Sequence, residues 1–262
     1  MVQEAEITPR DAERTPAVLR KAEQDHGVAT KIRGSAGYYR RAWRRFRRDR
    51  VAMAGLIVAI LILAFVLGAG ILSKYITGYD YRRGDLANQF RAPFSPGHLL
   101  GTDANGRDVL TRLAFGGRVS MMVAGLASAT ILVIGSTVGA TAGYFGGFID
   151  SLLMRLVDVL LTIPGLSLLI LVAALYRPGP VGLALIIAAI GWTGVARLVR
   201  GEVLTLRHRD FVDAARVVGA SNSRIIFVHI MPNIVPIIVV WLTLAIPTFI
   251  LVEASLSFLG LG

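Results

Sequence analysis

The 262-residue sequence contains no cysteine, which excludes disulfide bonds, thiol chemistry and cysteine-ligated metal sites. It also lacks three catalytic or nucleotide-binding motifs: the Gly-x-x-x-x-Gly-Lys-Ser/Thr phosphate loop, the Gly-x-Ser-x-Gly elbow and the His-Glu-x-x-His zinc motif. Only 17% of its residues are charged, and its four histidines are far apart along the chain. The sequence therefore predicts no ATP site of the phosphate-loop kind and no metal site.

Long apolar runs are what the sequence has in abundance. Hydrophobic residues make up 54% of the chain and the mean hydropathy is +0.62, above the range of ordinary globular domains. The net charge is nevertheless +11, and the apolar runs reach the roughly 20 residues that cross a bilayer. This combination favours an all-α, polytopic membrane helical bundle over a nucleic-acid-binding domain, whose basic residues would cover a soluble surface.

The first 50 residues are polar and strongly basic. Residues 1–34 have mixed charge and no apolar core, which predicts a disordered cytoplasmic tail and argues against a secretory signal peptide. In residues 35–50, Tyr39, Trp43 and Phe46 share one helical face while arginines fill the others. This pattern predicts an amphipathic helix in the membrane interface against anionic lipid. A nucleic-acid contact is the alternative, which the apolar run that follows at once disfavours.

Five apolar runs predict five membrane spans, at residues 51–72, 119–143, 152–175, 181–198 and 234–253. The arginines before the first run, with Arg197 and Arg200 at the end of the fourth, place the N-terminus in the cytoplasm by the positive-inside rule. The second run is rich in small residues, and the spacing of Gly135 and Gly139 predicts close packing against another helix. Pro164 is expected to kink the third span, which is useful for gating.

Charged residues near or within these runs are candidates for function. Arg155 and Asp158 are three residues apart, so they are expected to pair with each other, either as a structural ion pair or on a translocation path. Glu253 ends the fifth run, where a carboxylate is costly unless it is paired or hydrated. Two interpretations of Glu253 stay open: a place on the path or against a partner subunit, and a water-exposed position at the outer interface.

Two polar segments have their own local structure. In the external loop, residues 73–118, Asp103 and Asn105 suit turns and Asp108 favours a helix start, which predicts a folded cap held by turns and ion pairs. The segment 207–233 is longer than a connection between spans requires. Its apolar residues at helical spacing are Phe211, Ala214, Ala215 and Val218.

The rest of this second segment predicts a helix–turn–helix outside the lipid. Gly219 suits the left-handed end of the first helix, and Ser221 suits the N-cap of the second. Pro232 fits the first turn of the following span. We interpret the segment as a docking element, and the alternative is an amphipathic loop on lipid headgroups. His208 and His229 lie in it as docking or solvent-exposed residues, not as metal ligands.

Several stretches resemble a known family. Asp213-Ala214-Ala215, followed by Gly219 and Pro232, resembles the EAA cytoplasmic loop of bacterial ABC importer permeases. Three positions depart from that pattern, since Asp213 stands for Glu, His229 for Ile and Met231 for Leu. The stretch LGTDANGRD, residues 100–108, resembles a signature of the dipeptide, oligopeptide and nickel permease family, as do residues 142–164 and the closing ILVEASLSFLGLG.

The resemblance implies one permease subunit of an ABC importer with the type I fold, moving di- or oligopeptides across the bacterial cytoplasmic membrane. A nickel or other small-solute permease is the alternative, and a membrane scaffold or intramembrane enzyme is less favoured. The implied partners are a homologous second permease, two ATPase subunits that hold ATP and magnesium, and an external substrate-binding protein that the cap is a candidate to contact. No cofactor in this chain and no nucleic acid are implied.

The resemblance also assigns residues. Residues 119–262 would form the permease core, and the coupling loop 201–232 would insert into the ATPase subunit and transmit its motion. The implied coupling residues are Phe211, Asp213, Ala214, Ala215, Gly219, Ala220, Ser221, Arg224, His229 and Pro232. The implied candidates for the path or a subunit contact are Glu253, Pro164, Arg155 and Asp158. Relatives continue to a sixth span, so with five spans the sixth is missing or dispensable, and a reporter fused after Gly262 is expected outside the cell.

Overall fold

The computed structural model describes residues 36–261, and the predicted tail at residues 1–34 lies outside them. Over the described residues the chain forms helices and no strands, which confirms the all-α membrane bundle. The helices are α1 Ala36–Arg48, α2 Arg50–Leu67, α3 Val109–Phe145, α4 Gly147–Thr162, α5 Gly165–Tyr176, α6 Pro180–Leu206, α7 Asp210–Val217 and α8 Asn222–Phe258. Short helical turns at Ala69–Ile71, Leu72–Thr77 and Leu86–Asn88 lie between α2 and α3.

The chain divides into two units, Met1–Ile62 and Leu63–Gly262. In the first unit, α1 covers most of the segment predicted to lie in the membrane interface, and the rings of Trp43 and Phe46 stack with centroids 5.7 Å apart. Asp49 then caps α2, because its carboxylate accepts the backbone N–H groups of Val51 and Ala52 at 3.0 and 3.1 Å. The contact of α1 with lipid stays a prediction.

Four helices, α2, α3, α6 and α8, are long and apolar enough to cross a membrane, and α4 with α5 would make a fifth span. The predicted kink at Pro164 is instead a complete break, with the two helix axes bent by 75°. Ile163 adopts an extended conformation there. The reason is that proline lacks a backbone N–H and disfavours the helical conformation of the residue before it. The predicted third span is thus two helices.

The second unit is built around the packing of α3 against α6. Gly135, Gly139 and Gly143 form a stripe along α3, and a Cβ atom at Gly135 or Gly143 would lie 2.8 or 2.9 Å from a backbone oxygen of α6. At Gly139 a Cβ would collide with the carbonyl oxygen of Ala196. Opposite the stripe, α6 presents the fully buried side chains Val195, Val199 and Val203. This confirms that Gly135 and Gly139 allow close helix packing, whereas Gly125 faces open space.

The segment between α2 and α3 is a folded cap, as predicted. Asp108 is the N-cap of α3, because its carboxylate accepts the backbone N–H of Thr111 at 2.8 Å. The same buried carboxylate lies 3.0 Å from Nδ1 of His98. Asp103 accepts the backbone N–H groups of Asn105 and Arg107 at 2.8 and 2.9 Å, and it forms an ion pair with Arg112.

The stability of the cap is expected to depend on the charge of Asp103. Burial raises the pKa of this carboxyl, but the backbone N–H groups of Arg107 and Asn105 and the Arg112 guanidinium outweigh burial and hold the pKa below its usual value. The resulting stability is present above the unfolded pKa of about 3.9 and is lost as the pH falls through the lower folded pKa. Hydrogen exchange at the Asn105 and Arg107 amides, corrected for intrinsic rates, should show this loss. Asp103→Asn should remove it, and an unchanged pH profile would contradict the assignment.

Candidate functional site

The elbow is the segment that follows α6, residues 207–230, and it includes α7 and the first nine residues of α8. Its first helix, α7, ends at Gly219, whose φ is +81°, in the left-handed region that favours glycine. The N–H of Gly219 donates to the Arg216 carbonyl at 2.9 Å, and that of Ala220 donates to the Ala215 carbonyl at 3.0 Å. These two bonds form a Schellman motif. Ser221 then caps α8 by accepting the backbone N–H of Arg224, so both predicted helix boundaries are confirmed.

The second helix of the elbow does not end before Pro232, as the helix–turn–helix prediction required. It continues through a π-helical turn, Ile225–Ile230, directly into the last span. A π-turn is a common way to accommodate a break in the regular hydrogen-bond ladder, and Pro232 supplies that break because it has no N–H. The side-chain amide of Asn233, three residues after this turn, donates to the His229 carbonyl at 2.6 Å. The second helix of the elbow and the last span are therefore one continuous helix.

The inner face of the elbow is anchored in the core of the second unit. Val212, Ile225, Ile226 and Ile230 are buried in one cluster with residues of α3 and α6. Of the apolar residues that the sequence placed at helical spacing, Ala215 is half-buried and Phe211, Ala214 and Val218 are exposed, whereas the buried residue of α7 is Val212. The helical spacing was correct, but it described the outer surface of this helix.

Three polar contacts hold the elbow to the end of α3. The hydroxyl of Tyr144 donates to Oδ1 of Asn222 at 2.9 Å. Arg207 donates from Nη1 to the carbonyl of Gly143 at 2.9 Å, at the C-terminal end of α3, where a cation is stabilised by the helix dipole. The guanidinium of Arg216 lies 5.8 Å from the centroid of the Tyr144 ring. A displacement of the elbow would therefore pull on α3 as well as on α8.

The outer surface of the elbow, defined by Phe211, Val217 and Val218, is apolar and open. Val217 and Val218 are each 88% exposed, and Phe211 is 40% exposed. Asp213 lies on the same short helix and forms an ion pair with Arg216 at 2.9 Å. Large exposed apolar side chains on a rigidly held element are typical of a contact site for another protein.

The two carboxylates of α4 pair with arginines of α6. Asp158 forms an ion pair with Arg197, so the predicted pair of Arg155 with Asp158 was wrong. Asp150 receives two hydrogen bonds from the Arg200 side chain, from Nε at 2.5 Å and from Nη2 at 2.7 Å. Sequence reasoning assigned Arg197 and Arg200 only to the positive-inside rule, and it missed that both join α4 to α6.

Glu253 lies near the opposite end of α8 from the elbow, and only 6% of it is exposed. Ser120 of α3 donates to Oε2 at 2.5 Å, and Ser257 donates to Oε1 at 2.8 Å. The interpretation as a water-exposed residue was therefore wrong, since the carboxylate is buried between two helices. It lines a cleft of about 670 Å³, whose lining includes none of the other path candidates, Pro164, Arg155 and Asp158. Sequence reasoning missed Ser120 because 133 residues separate it from Glu253.

The histidines form no shared site in the described part of the chain. His98 pairs with Asp108 in the cap, and Nε2 of His208 accepts a hydrogen bond from Arg207 at 2.9 Å. Among residues 36–261, no three side chains of His, Asp or Glu lie close enough together to hold a metal ion. His26 lies outside these residues.

Two family models match the chain. Residues 135–262 match the model described as the binding-protein-dependent transport system inner membrane component. Residues 37–93 match the model of the N-terminal transmembrane domain of oligopeptide transport permease C. The first match contains the whole elbow, α4, α5, α6 and Glu253, but Ser120 lies before it.

Individual relatives agree with these models. A dipeptide transport system permease protein of Bacillus subtilis is 40% identical over 230 residues, which is 88% of this chain and 70% of the relative. An oligopeptide transport system permease protein of Haemophilus influenzae is 41% identical over 84% of this chain and 70% of its own length. A glutathione transport system permease protein of Pectobacterium atrosepticum is 37% identical over 86% of this chain and 73% of its own length.

Proposed function

Since the chain belongs to the family of inner membrane components of binding-protein-dependent transport systems, we propose that it is the permease subunit of an importer of di- or oligopeptides. Its membrane is the bacterial cytoplasmic membrane, with the elbow and the N-terminus on the cytoplasmic side. The observation that carries the proposal is the elbow: its inner face is buried in the bundle, and its outer surface presents Val217 and Val218.

The peptide substrate is supported by the names of the relatives, which specify dipeptide, oligopeptide or glutathione transport. The alternative, nickel or another small solute, has less support, because the described residues hold no cluster suited to a metal ion. Uptake of a labelled dipeptide and of nickel by the same proteoliposomes separates the two. Peptide uptake alone is the expected result, and nickel uptake alone would contradict the proposal.

The proposed partners follow from the surfaces that this chain leaves open. Each of two ATPase subunits, which hold ATP and magnesium, would bind the outer surface of the elbow on one permease. A homologous second permease would cover part of α8. Only 11% of the most apolar stretch of α8 is buried within this chain. An external substrate-binding protein would deliver the peptide at the end of the bundle that carries the cap. A pull-down from native membranes is expected to recover all of these subunits.

The proposed mechanism is alternating access driven through the elbow. Closure of the ATPase dimer on ATP moves the outer surface of the elbow. Because the elbow is continuous with α8 and is bonded to α3 through Tyr144 and Arg207, its displacement tilts both spans. The ATPase shifts the permease between two states because it contacts the elbow differently in each, and only a differential contact can drive such a switch.

Charge reversal at Asp213 and a bulky residue at Gly219 are expected to uncouple ATP hydrolysis from uptake. Asp213→Lys removes the ion pair with Arg216 and places two cations three residues apart. Gly219→Val strains the left-handed turn by about 1–2 kcal/mol, although no atom lies within 4 Å of the added Cβ. We expect the peptide transported per ATP to fall at least about fivefold, the lower end of typical coupling effects.

The measurement is uptake and ATP hydrolysis in the same proteoliposomes. Asp213→Glu keeps the charge and is the matched control, for which near-normal coupling is expected. Normal transport in both Asp213→Lys and Gly219→Val would show that the elbow does not couple ATP hydrolysis to transport.

A further inference from the structure

The carboxylate of Glu253 lies far from the elbow. Twenty-three positions along α8 separate it from Ile230, the last residue of the elbow, which corresponds to about 35 Å along the axis. The coupling mechanism therefore makes no use of this residue. A carboxylate inside a membrane span is costly, and such residues are usually retained for a function.

The surroundings of Glu253 hold its carboxylate in a fixed position. Each of its two oxygens accepts one hydrogen bond from a serine hydroxyl, Oε2 from Ser120 on α3 and Oε1 from Ser257 one turn further along α8. A carboxylate offers about four lone-pair directions, so two neutral donors leave it with free accepting capacity. The two serines fix the position of the carboxylate but supply no opposite charge.

The cleft beside Glu253 has the size and lining of a small-molecule site. Its volume of about 670 Å³ lies within the roughly 300–1,000 Å³ typical of such sites. Of the described residues that line it, Glu253 is the one with a charged side chain. The remaining walls are mostly apolar or small, among them Val119, Pro178, Leu183, Ala254 and Phe258. A single anion in an apolar cleft complements a ligand with one cationic group on an apolar body.

We propose that this cleft binds the N-terminal ammonium group of the transported peptide, with the Glu253 carboxylate as its counter-charge. The three N–H donors of a primary ammonium match the free lone pairs of the carboxylate, and the apolar walls accept the first side chains of the peptide. The inference rests on the proposed peptide substrate. A lysine of the second permease could offer the same chemistry, and the experiment below distinguishes that source.

The absence of cysteine allows a direct test of the charge in the cleft. Ala254→Cys places a thiol beside Glu253, and its rate of reaction with a cationic and an anionic methanethiosulfonate reagent is measured in the assembled transporter. One charge about 6 Å away raises the rate of the cationic reagent and lowers that of the anionic reagent, each about threefold, even at the permittivity of water. Adding Glu253→Gln removes both effects, so it should change the ratio of the two rates about tenfold. Tyr176→Cys, exposed and outside the cleft, is the control, and its rates should not respond to Glu253→Gln.

The second arm identifies the ligand. A dipeptide amide with a free N-terminus, added without the external binding protein, should slow labelling of Ala254→Cys, whereas its N-acetylated form should not. Glu253→Gln should abolish this protection, and its co-purification with the other subunits shows that the variant is folded.

Each other result overturns the inference. A rate ratio that ignores Glu253→Gln would show that the carboxylate does not act on the cleft, and equal protection by both peptides would exclude the ammonium. A thiol that is unreactive in the assembled transporter but crosslinks to the second permease would assign the cleft to a subunit contact. If the substrate proposal fails and nickel is the transported solute, the charge-dependent rates remain, but protection by the peptide is lost. Loss of protection in a transporter that takes up labelled dipeptide would overturn this inference alone, so the uptake assay distinguishes the two failures.

Discussion

Replacing Gly139 by leucine is expected to abolish accumulation of the folded chain, whereas the same change at Gly125 is expected to be tolerated. Both glycines lie on α3, within its apolar run at residues 119–143. At Gly139 a side chain would collide with the carbonyl oxygen of Ala196 and lie 3.0 Å from Cβ of Val199, while at Gly125 nothing lies within 4 Å. Backbone atoms cannot rotate away, so α3 and α6 would have to separate along their glycine stripe.

The comparison separates close helix packing from a general intolerance of large residues in the span. Overpacking a well-packed core typically costs about 1–3 kcal/mol, and a collision with backbone lies at or beyond the upper end of that range. The measurement is the yield and thermal stability of each variant after purification from membranes. Equal stability of the Gly139→Leu and Gly125→Leu chains would contradict the packing described for α3 and α6.

Replacing Val217 and Val218 together by aspartate is expected to reduce peptide uptake at least tenfold without unfolding the chain. Both side chains are almost fully exposed and contribute little to the core of this chain, so their substitution should leave its stability nearly unchanged. At a contact with an ATPase subunit, however, two carboxylates would be desolvated without partners. Substitution of a central residue in such an interface commonly costs about 2 kcal/mol or more of binding free energy, which exceeds a factor of ten in affinity.

The double variant Val217→Thr with Val218→Thr keeps the shape of both side chains without adding charge, and it is the matched control. We expect it to retain much of the uptake and of the bound ATPase. Normal uptake by the aspartate variant would show that the outer surface of the elbow contacts no partner.

Local chemistry in the sequence was enough to predict the helix boundaries of the elbow and the cap. Gly219, Ser221 and Asp108 act through hydrogen bonds to residues within five positions, so their roles depend little on the remainder of the chain. The close packing of Gly135 and Gly139 was likewise evident from their spacing, although the partner helix was not.

Contacts between distant segments were not predictable in this way. Asp158 was expected to pair with Arg155 because only neighbours along the helix were considered, whereas α6 brings Arg197 to it across the bundle. The hydrogen bond from Ser120 to Glu253 likewise joins two helices that are far apart in the sequence. Apolar periodicity alone cannot tell a helix face that is buried within the chain from one that is exposed, as Phe211 and Val212 of α7 illustrate.

The most direct test of the central claim is photo-crosslinking from the elbow in native membranes. A photoreactive amino acid at position 218 should crosslink to a nucleotide-hydrolysing subunit, and the yield should differ between the nucleotide-free and the ATP-trapped transporter. A crosslink confined to lipid, or a yield that does not change with nucleotide, would contradict the role of the elbow as the element that transmits ATP-driven motion to the membrane spans.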